Sequence, residues 1–316
     1  MEALQAALAS ILAASAPLIF ATIGEAIAEK AGVINLSLDG SILLSAMAGF
    51  AIAYTTGSVW LGFLAALIVS LLVALLVAYA SISLKLNQVA VGFVLTLLCT
   101  DLSSFLGNPF VRIQGPSVPH MPIPILKDIP FIGPIVFEQD LVVYASLLTV
   151  FVAYWFMFRT RRGLILQGVG ERPEAAFARG VPVSRMRYLY TAIGGALVGV
   201  AGAAYSLDVK LGWSYRHTAG LGWIALAIVI FGGWHPYRVA FGAYLFGALQ
   251  TVALKLQPVL PNLSQVLPIL PFPLMIFTLL IVYSDSIGRL LDRRPALRGI
   301  LRSDPPSALG TYFEQE

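Results

Sequence analysis

The chain has 316 residues, of which 58% are apolar and 11% charged. Soluble domains carry about a quarter charged residues, so this composition excludes a soluble enzyme and fits an all-α polytopic membrane protein. The net charge of +4 carries no nucleic-acid signal, because the Lys and Arg residues sit at the edges of apolar runs.

A membrane-crossing helix needs about 20 apolar residues. Runs without a charged residue are 3–24, 41–84, 86–100, 141–158, 188–207, 218–237, 239–254 and 256–284. The run 41–84 is long enough for two crossings and breaks at Thr55-Thr56-Gly57-Ser58. About nine helices follow, in a transmembrane domain over 1–288, with two repeated halves as one arrangement. Met1-Glu2-Ala3 lacks the basic region of a cleaved signal peptide, so the first run reads as a retained helix over 4–23.

The next stretch, 24–40, reads GEAIAEKAGVINLSLDG. Glu25 and Glu29 are one turn apart and share a face. They read as loop acids that cap helix 2. Asn35 and Asp39 repeat the spacing, and two readings stay open for them: a hydrogen bond between helices, or a place on a solute pathway. Helices 2 and 3 are expected over 34–54 and 59–83, with a turn at Lys85-Leu86-Asn87-Gln88. Helix 4 runs to 106, with Cys99 as a buried apolar residue and Asp101 near its outer end. The connection 107–140 holds seven prolines and few charges, so it reads as an external loop hugging the membrane surface. His120 has no second histidine or cysteine at ligand spacing, which gives no metal site.

Helices 5 and 6, over 141–158 and 188–207, bracket a loop over 159–187 with seven arginines and two glutamates. Positive charge of that density places the loop in the cytoplasm. Gly168 and Gly170 loosen its backbone. Glu171-Arg172-Pro173 reads as a helix start, Glu174, Ala175, Ala176 and Phe177 as its body, and Gly180 as its stop. A helix of about two turns is unstable alone in water. Either it docks through Ala175, Ala176 and Phe177 on a partner, or it is an incidental turn in a basic loop.

Helix 6 carries Gly195-x-x-x-Gly199, a pattern for close helix approach within this chain. Helix 7 opens at Gly220-Leu221-Gly222-Trp223, which is either an interfacial anchor or the counterpart of Ala31-Gly32-Val33 in a repeated half. The tail 289–316 is basic, with five arginines over 289–302, and is expected to be disordered from 303. Of 20 Lys and Arg residues, 15 fall inside and 5 outside, so the N-terminus is expected outside and the C-terminus in the cytoplasm.

No Walker A sequence, HExxH or nucleophile elbow is present. The chain therefore reads as a transport subunit and not an enzyme. Helices 3, 5, 6, 7 and 8 have essentially no ionisable residue, which favours a partner-driven transporter over a gradient-driven carrier or channel working alone.

The run Gly168-x-Gly170-Glu171-x-Pro173-x-Ala175-Ala176-x-x-x-Gly180-Val181 resembles the coupling segment of ABC importer permeases of the branched-chain amino acid, ribose and nucleoside group. The stretch from Gly24 to Gly40 is similar to the opening of the nucleoside branch, with Ser37 where glycine is usual and Asp39 where glutamate is usual. Gly220-x-Gly222-Trp223 and Phe231-Gly232-x-Trp234-x-Pro236 add to the likeness. The resemblance implies a bacterial cytoplasmic membrane, a second permease subunit, an external substrate-binding lipoprotein and a cytoplasmic ABC ATPase on the 167–182 segment. ATP and magnesium would sit on that ATPase, with no cofactor on this chain. Nucleosides are the expected solute, with branched-chain amino acids and simple sugars as alternatives. Asn35, Asp39, Asn87, Phe93 and Trp223 are the candidate pathway residues.

Overall fold

A computed structural model describes residues 2–218, 220–259 and 305–314, with isolated positions at 266, 269, 273, 276, 277 and 280. Among the described residues ten α-helices follow in order: α1 Glu2–Lys30, α2 Leu38–Thr56, α3 Val59–Ala78, α4 Gln88–Gly107, α5 Leu141–Arg159, α6 Arg161–Glu171, α7 Pro173–Ala178, α8 Val183–Ala204, α9 Leu221–Gly232 and α10 Pro236–Leu256. Wider turns extend α3 over Tyr79–Ser83 and α8 over Tyr205–Val209. Among the described residues there is no strand, only three isolated bridges.

Seven of the described helices are long and apolar enough to cross a membrane. The expected count was nine. The seventh expected helix is α9, which has 12 residues. At 1.5 Å per residue it reaches about 18 Å, short of a hydrocarbon core of about 30 Å. The ninth, over 256–284, lies almost wholly outside the described residues.

α8 is the central post, packed against α1, α2 and α3. Its glycines make this possible. Gly194 lies against Gly24 of α1, Gly195 against Ala74 of α3, Gly199 against Ala66 of α3 and Gly202 against Ser45 of α2. The small-residue pattern thus serves packing inside the chain. α3 turns its small residues Gly62, Ala66, Ser70 and Ala74 inward and exposes Leu61, Leu64, Ile68, Leu72 and Leu76. Small inside and large apolar outside suits a helix whose outer solvent is lipid.

Two faces flank the bundle. The basic face carries α6, α7, Lys30, Lys85 and residues 305–314. The opposite, loop face holds the connection after α4. Its extended backbone is pinned to the segment after α8: Arg112 N–H donates to Trp213 O (3.3 Å) and Val118 N–H to Leu207 O (3.2 Å).

On the loop face His217 stacks on Tyr205, and its Nδ1–H donates to Ser214 O (2.7 Å). Burial pushes its pKa down to about 4 from 6.5, opposed by the Ser214 hydrogen bond and helped by Lys210. The unfolded imidazole takes a proton below about 6.5 that the folded one refuses until about 4, so the contribution of His217 to stability falls as pH drops through that window. Protection of the amides over 210–218, taken against the intrinsic exchange rate at each pH, is expected to fall between about pH 6.5 and about pH 4.5, and His217→Gln to flatten the response. Equal protection at both pH values would contradict this account.

Three expectations are corrected on the basic face. Helix 1 does not end at Ile23: α1 continues to Lys30 and closes with Val33 N–H on Ala28 O and Gly32 N–H on Glu29 O, with Gly32 at φ +90°. Only glycine enters that region without strain. The connection expected over 24–33, with helix 2 starting at Ile34, is instead the turn 31–37, with α2 starting at Leu38. Gly168 and Gly170 do not loosen the backbone but lie within α6. The tail expected to be disordered packs over 305–314, with Pro306 and Ala308 buried. The rest of 289–304 lies outside the described residues.

Candidate functional site

The stretch 25–39 does not form a surface loop. Glu25 and Glu29 are 1% and 5% exposed, so the reading of both as solvated caps is overturned. Their hydrogen bonds explain how α1 tolerates them. Glu25 Oε1 accepts from Asn35 N–H (3.1 Å), and Glu29 Oε2 accepts from the indole N–H of Trp234. A buried carboxylate is stable when hydrogen-bonded and costly when it is not.

Asn35 is a turn former. Its Oδ1 accepts from Ser37 N–H (3.1 Å) and Ser37 Oγ (2.5 Å), immediately before α2. Side-chain acceptance two residues on is the local chemistry that asparagine offers a turn. The turn is also held from α4: Gln88 Oε1 accepts from Ile34 N–H (2.8 Å), and Thr96 Oγ1–H donates to Leu36 O (2.8 Å). Leu36 packs on Gly92. Contact with the second and third turns of α4 places Leu36 about 10 Å inside the bundle from the α4 start. The turn is therefore re-entrant.

Asp39 reaches across to α9. Its Oδ1 accepts from Gly220 N–H (2.9 Å) and Gly222 N–H (3.0 Å), two of the orphan donors at a helix start. The carboxylate also faces the positive end of that helix. Gly222 is pressed against the Asp39 backbone, with no room for a side chain. α9 is thus held at its start by Asp39 and just past its end by Glu29 through Trp234.

Beside this junction Phe93 of α4 and Trp223 of α9 pair at 5.4 Å between ring centres, with 47% and 39% exposed. The structure brings Asp39, Phe93 and Trp223 together, with Asn35 in the adjoining turn. It does not bring Asn87 there. Asn87 is exposed beside Lys85 and caps α4, its Oδ1 accepting from Ala90 N–H (3.1 Å). The residues that sequence reasoning missed are Gln88, Thr96 and Trp234. Gln88 is the last residue of a recognised turn, but nothing in its neighbours signals that it folds inward.

The second site is the arginine-rich loop. α7 covers Pro173–Ala178 with Pro173 in its first turn. Gly180, at φ +82°, donates to Phe177 O (2.8 Å), and Val181 N–H donates to Ala176 O (3.1 Å). Pro173 is the only buried residue of α7. Ala175 and Ala176 line a groove of about 510 Å³ with Leu164, Ile165 and Gly168 of α6. Phe177 is 40% exposed and lies on the other side, against Phe313. Glu171 accepts from Ser307, while Glu174 is exposed.

Residues 7–279 match the family described as branched-chain amino acid transport system / permease component. The chain belongs to that family. Three relatives place it further. The permease is 40% identical over 248 residues to TsgC13 of Haloferax volcanii, an ABC transporter permease protein named provisionally for glucose, covering 77% of this chain and 75% of the relative. It is 30% identical over 265 residues to the nucleoside ABC transporter permease protein NupC of Lactococcus lactis subsp. cremoris, covering 80% and 83%. It is 30% identical over 292 residues to the guanosine ABC transporter permease protein NupQ of Bacillus subtilis, covering 87% and 90%. No solved structure matches the permease. It is an ABC permease subunit of the nucleoside and sugar importer group, embedded in the membrane by several helices.

Proposed function

We propose that this permease imports nucleosides, driven by a separate ATPase that docks on the 167–182 segment. The observation that carries the coupling half is α7, a short apolar helix with five of its six residues unburied on the basic face. Such a helix gains stability from a partner that covers it. In this reading the basic face is cytoplasmic and the loop face external, in line with the positive-inside rule. The N-terminus is external and the C-terminus cytoplasmic. ATP and magnesium belong to the ATPase, an external binding protein delivers the solute, and a second permease subunit completes the pathway. The Phe93–Trp223 pair supports the last point: it opens at the surface of one subunit, where a second could close over it.

Two of the relatives above are named for nucleosides or guanosine, and aromatic faces suit a base that stacks. A sugar is the second reading, favoured by the 40% identity to a relative named for glucose. The test is uptake of labelled adenosine into liposomes holding this permease, its companion, the ATPase and the binding protein, with leucine, glucose and ribose as competitors. ATP-dependent uptake blocked only by nucleosides is expected. Block by glucose or ribose would move the solute to sugars, and uptake without ATP would remove the importer reading.

The docking half has its own test. Ala176→Trp fills the α6–α7 groove, and Gly180→Pro cannot hold φ +82°. Each is expected to cut ATPase co-purification and ATP-driven uptake by about tenfold or more, equivalent to about 1.4 kcal/mol of coupling. Normal co-purification with Ala176→Trp would show that the ATPase docks elsewhere.

A further inference from the structure

Residues 305–314 lie across the joint between the α6–α7 loop and the re-entrant turn. α6 ends at Glu171, and the last carbonyls of any helix lack partners within it. Gly170 O accepts from Ala308 N–H (2.9 Å). Two residues on, Gly310 N–H donates to Gly32 O (3.1 Å), the carbonyl that opens the turn. Gly310 is at φ +74° and faces the Ile34 side chain, so a larger residue is strained there. The strap therefore donates to both sides of a joint where Gly170 already touches the Lys30 carbonyl.

Its other contacts widen the joint. Ser307 donates through N–H (3.3 Å) and Oγ–H (2.8 Å) to Glu171 Oε2. Thr311 O accepts from Arg187 Nη1–H (2.8 Å), and Arg187 is 2% exposed on α8. Phe313 meets Phe177 of α7 edge-on at 5.6 Å. Glu314 pairs with Lys85 at 2.6 Å. One short segment thus touches α6, α7, α8, the α3–α4 turn and the turn that leads to Asp39.

We propose that this strap is the positioning element that makes the α6–α7 loop and the 31–37 turn move together, so that displacement at the ATPase side reaches the Asp39–α9 junction. The inference rests on the docking reading above. Geometry carries it: the hydrogen bonds to α6 and to the turn come from residues two apart, too close for the two elements to shift independently while both bonds hold. Without the strap, the ATPase still has α7 to bind, but its movement is no longer tied to the turn.

The test uses the complete importer in liposomes with the permease truncated before residue 305, and separately with Gly310→Val and Phe313→Ala in the full-length chain. Three quantities are read: ATPase co-purification, ATP hydrolysis, and solute imported per ATP. Co-purification and hydrolysis are expected to stay within about twofold of wild type while import per ATP falls about tenfold or more in the truncation and in Gly310→Val. Phe313→Ala, which leaves both backbone bonds, is expected to lose less. Unchanged import per ATP in the truncation and in Gly310→Val would overturn the proposal. So would loss of the ATPase from a folded truncated complex, which would make the strap a docking surface, or a rise in import per ATP, which would make it a restraint. Gly310→Val decides the matter where the truncated chain does not fold. Failure of the docking reading looks different: it shows as normal ATPase binding by Ala176→Trp, whatever the strap variants do.

Discussion

Asp39→Ala is expected to abolish import and to loosen α9 while leaving the rest of the bundle folded. Asp39 Oδ1 is the acceptor for both Gly220 N–H and Gly222 N–H. Removing it leaves two backbone donors at a half-buried junction without their acceptor. Each unsatisfied donor costs about 1–3 kcal/mol, so the local penalty is about 2–6 kcal/mol. The lost interaction between the carboxylate and the helix start adds to it. Asp39→Asn keeps an acceptor oxygen and is expected to retain part of the activity. The checks are uptake in the full complex and thiol accessibility of a cysteine placed at Leu221 in a Cys99→Ser background. Wild-type uptake by Asp39→Ala, with Leu221→Cys still shielded, would mean that α9 is held by packing alone.

Gly194→Leu is expected to be the most damaging change to folding. A Cβ at Gly194 would sit 2.5 Å from Gly24 O, and Gly24 meets the same limit from the other side. The added side chain must separate α1 from α8, the post of the bundle. Overpacking of this kind costs about 1–3 kcal/mol where the structure yields, and here the obstacle is backbone, which yields least. The expected result is a severalfold drop in monodisperse protein after detergent extraction. Gly168→Leu is the control, since nothing lies within 4 Å of its Cβ position. Equal yields of the two variants would show that α1 and α8 can part without loss.

The membrane helices were legible because charge-free length has one main physical reading. Their ends were not. α1 continues through Glu25 and Glu29 because each acid finds a donor, at Asn35 and Trp234. Trp234 is 205 residues from Glu29, and no local pattern announces such a partner. α9 is the converse case: its apolar run was long enough, but Gly220 and Gly233 both adopt left-handed geometry and cut the helix to 12 residues. Those glycines were visible, while their conformation was not. At the junction, Asp39, Phe93 and Trp223 were candidates for the solute pathway, and the structure sets them side by side. Asn87, a candidate on the same ground, lies away from them and caps α4. The strap left the faintest trace, since its two central bonds use backbone N–H groups that every sequence but proline supplies.

The half-length of α9 also bears on how the chain is built during synthesis. A segment of 12 residues is too short to partition into a bilayer as a crossing in its own right. Its first donors find their acceptor in Asp39, 181 and 183 residues earlier in the chain. The amino-terminal half must therefore already stand in the membrane, with its carboxylate presented, before α9 can settle. The early helices act as a mould for the later one.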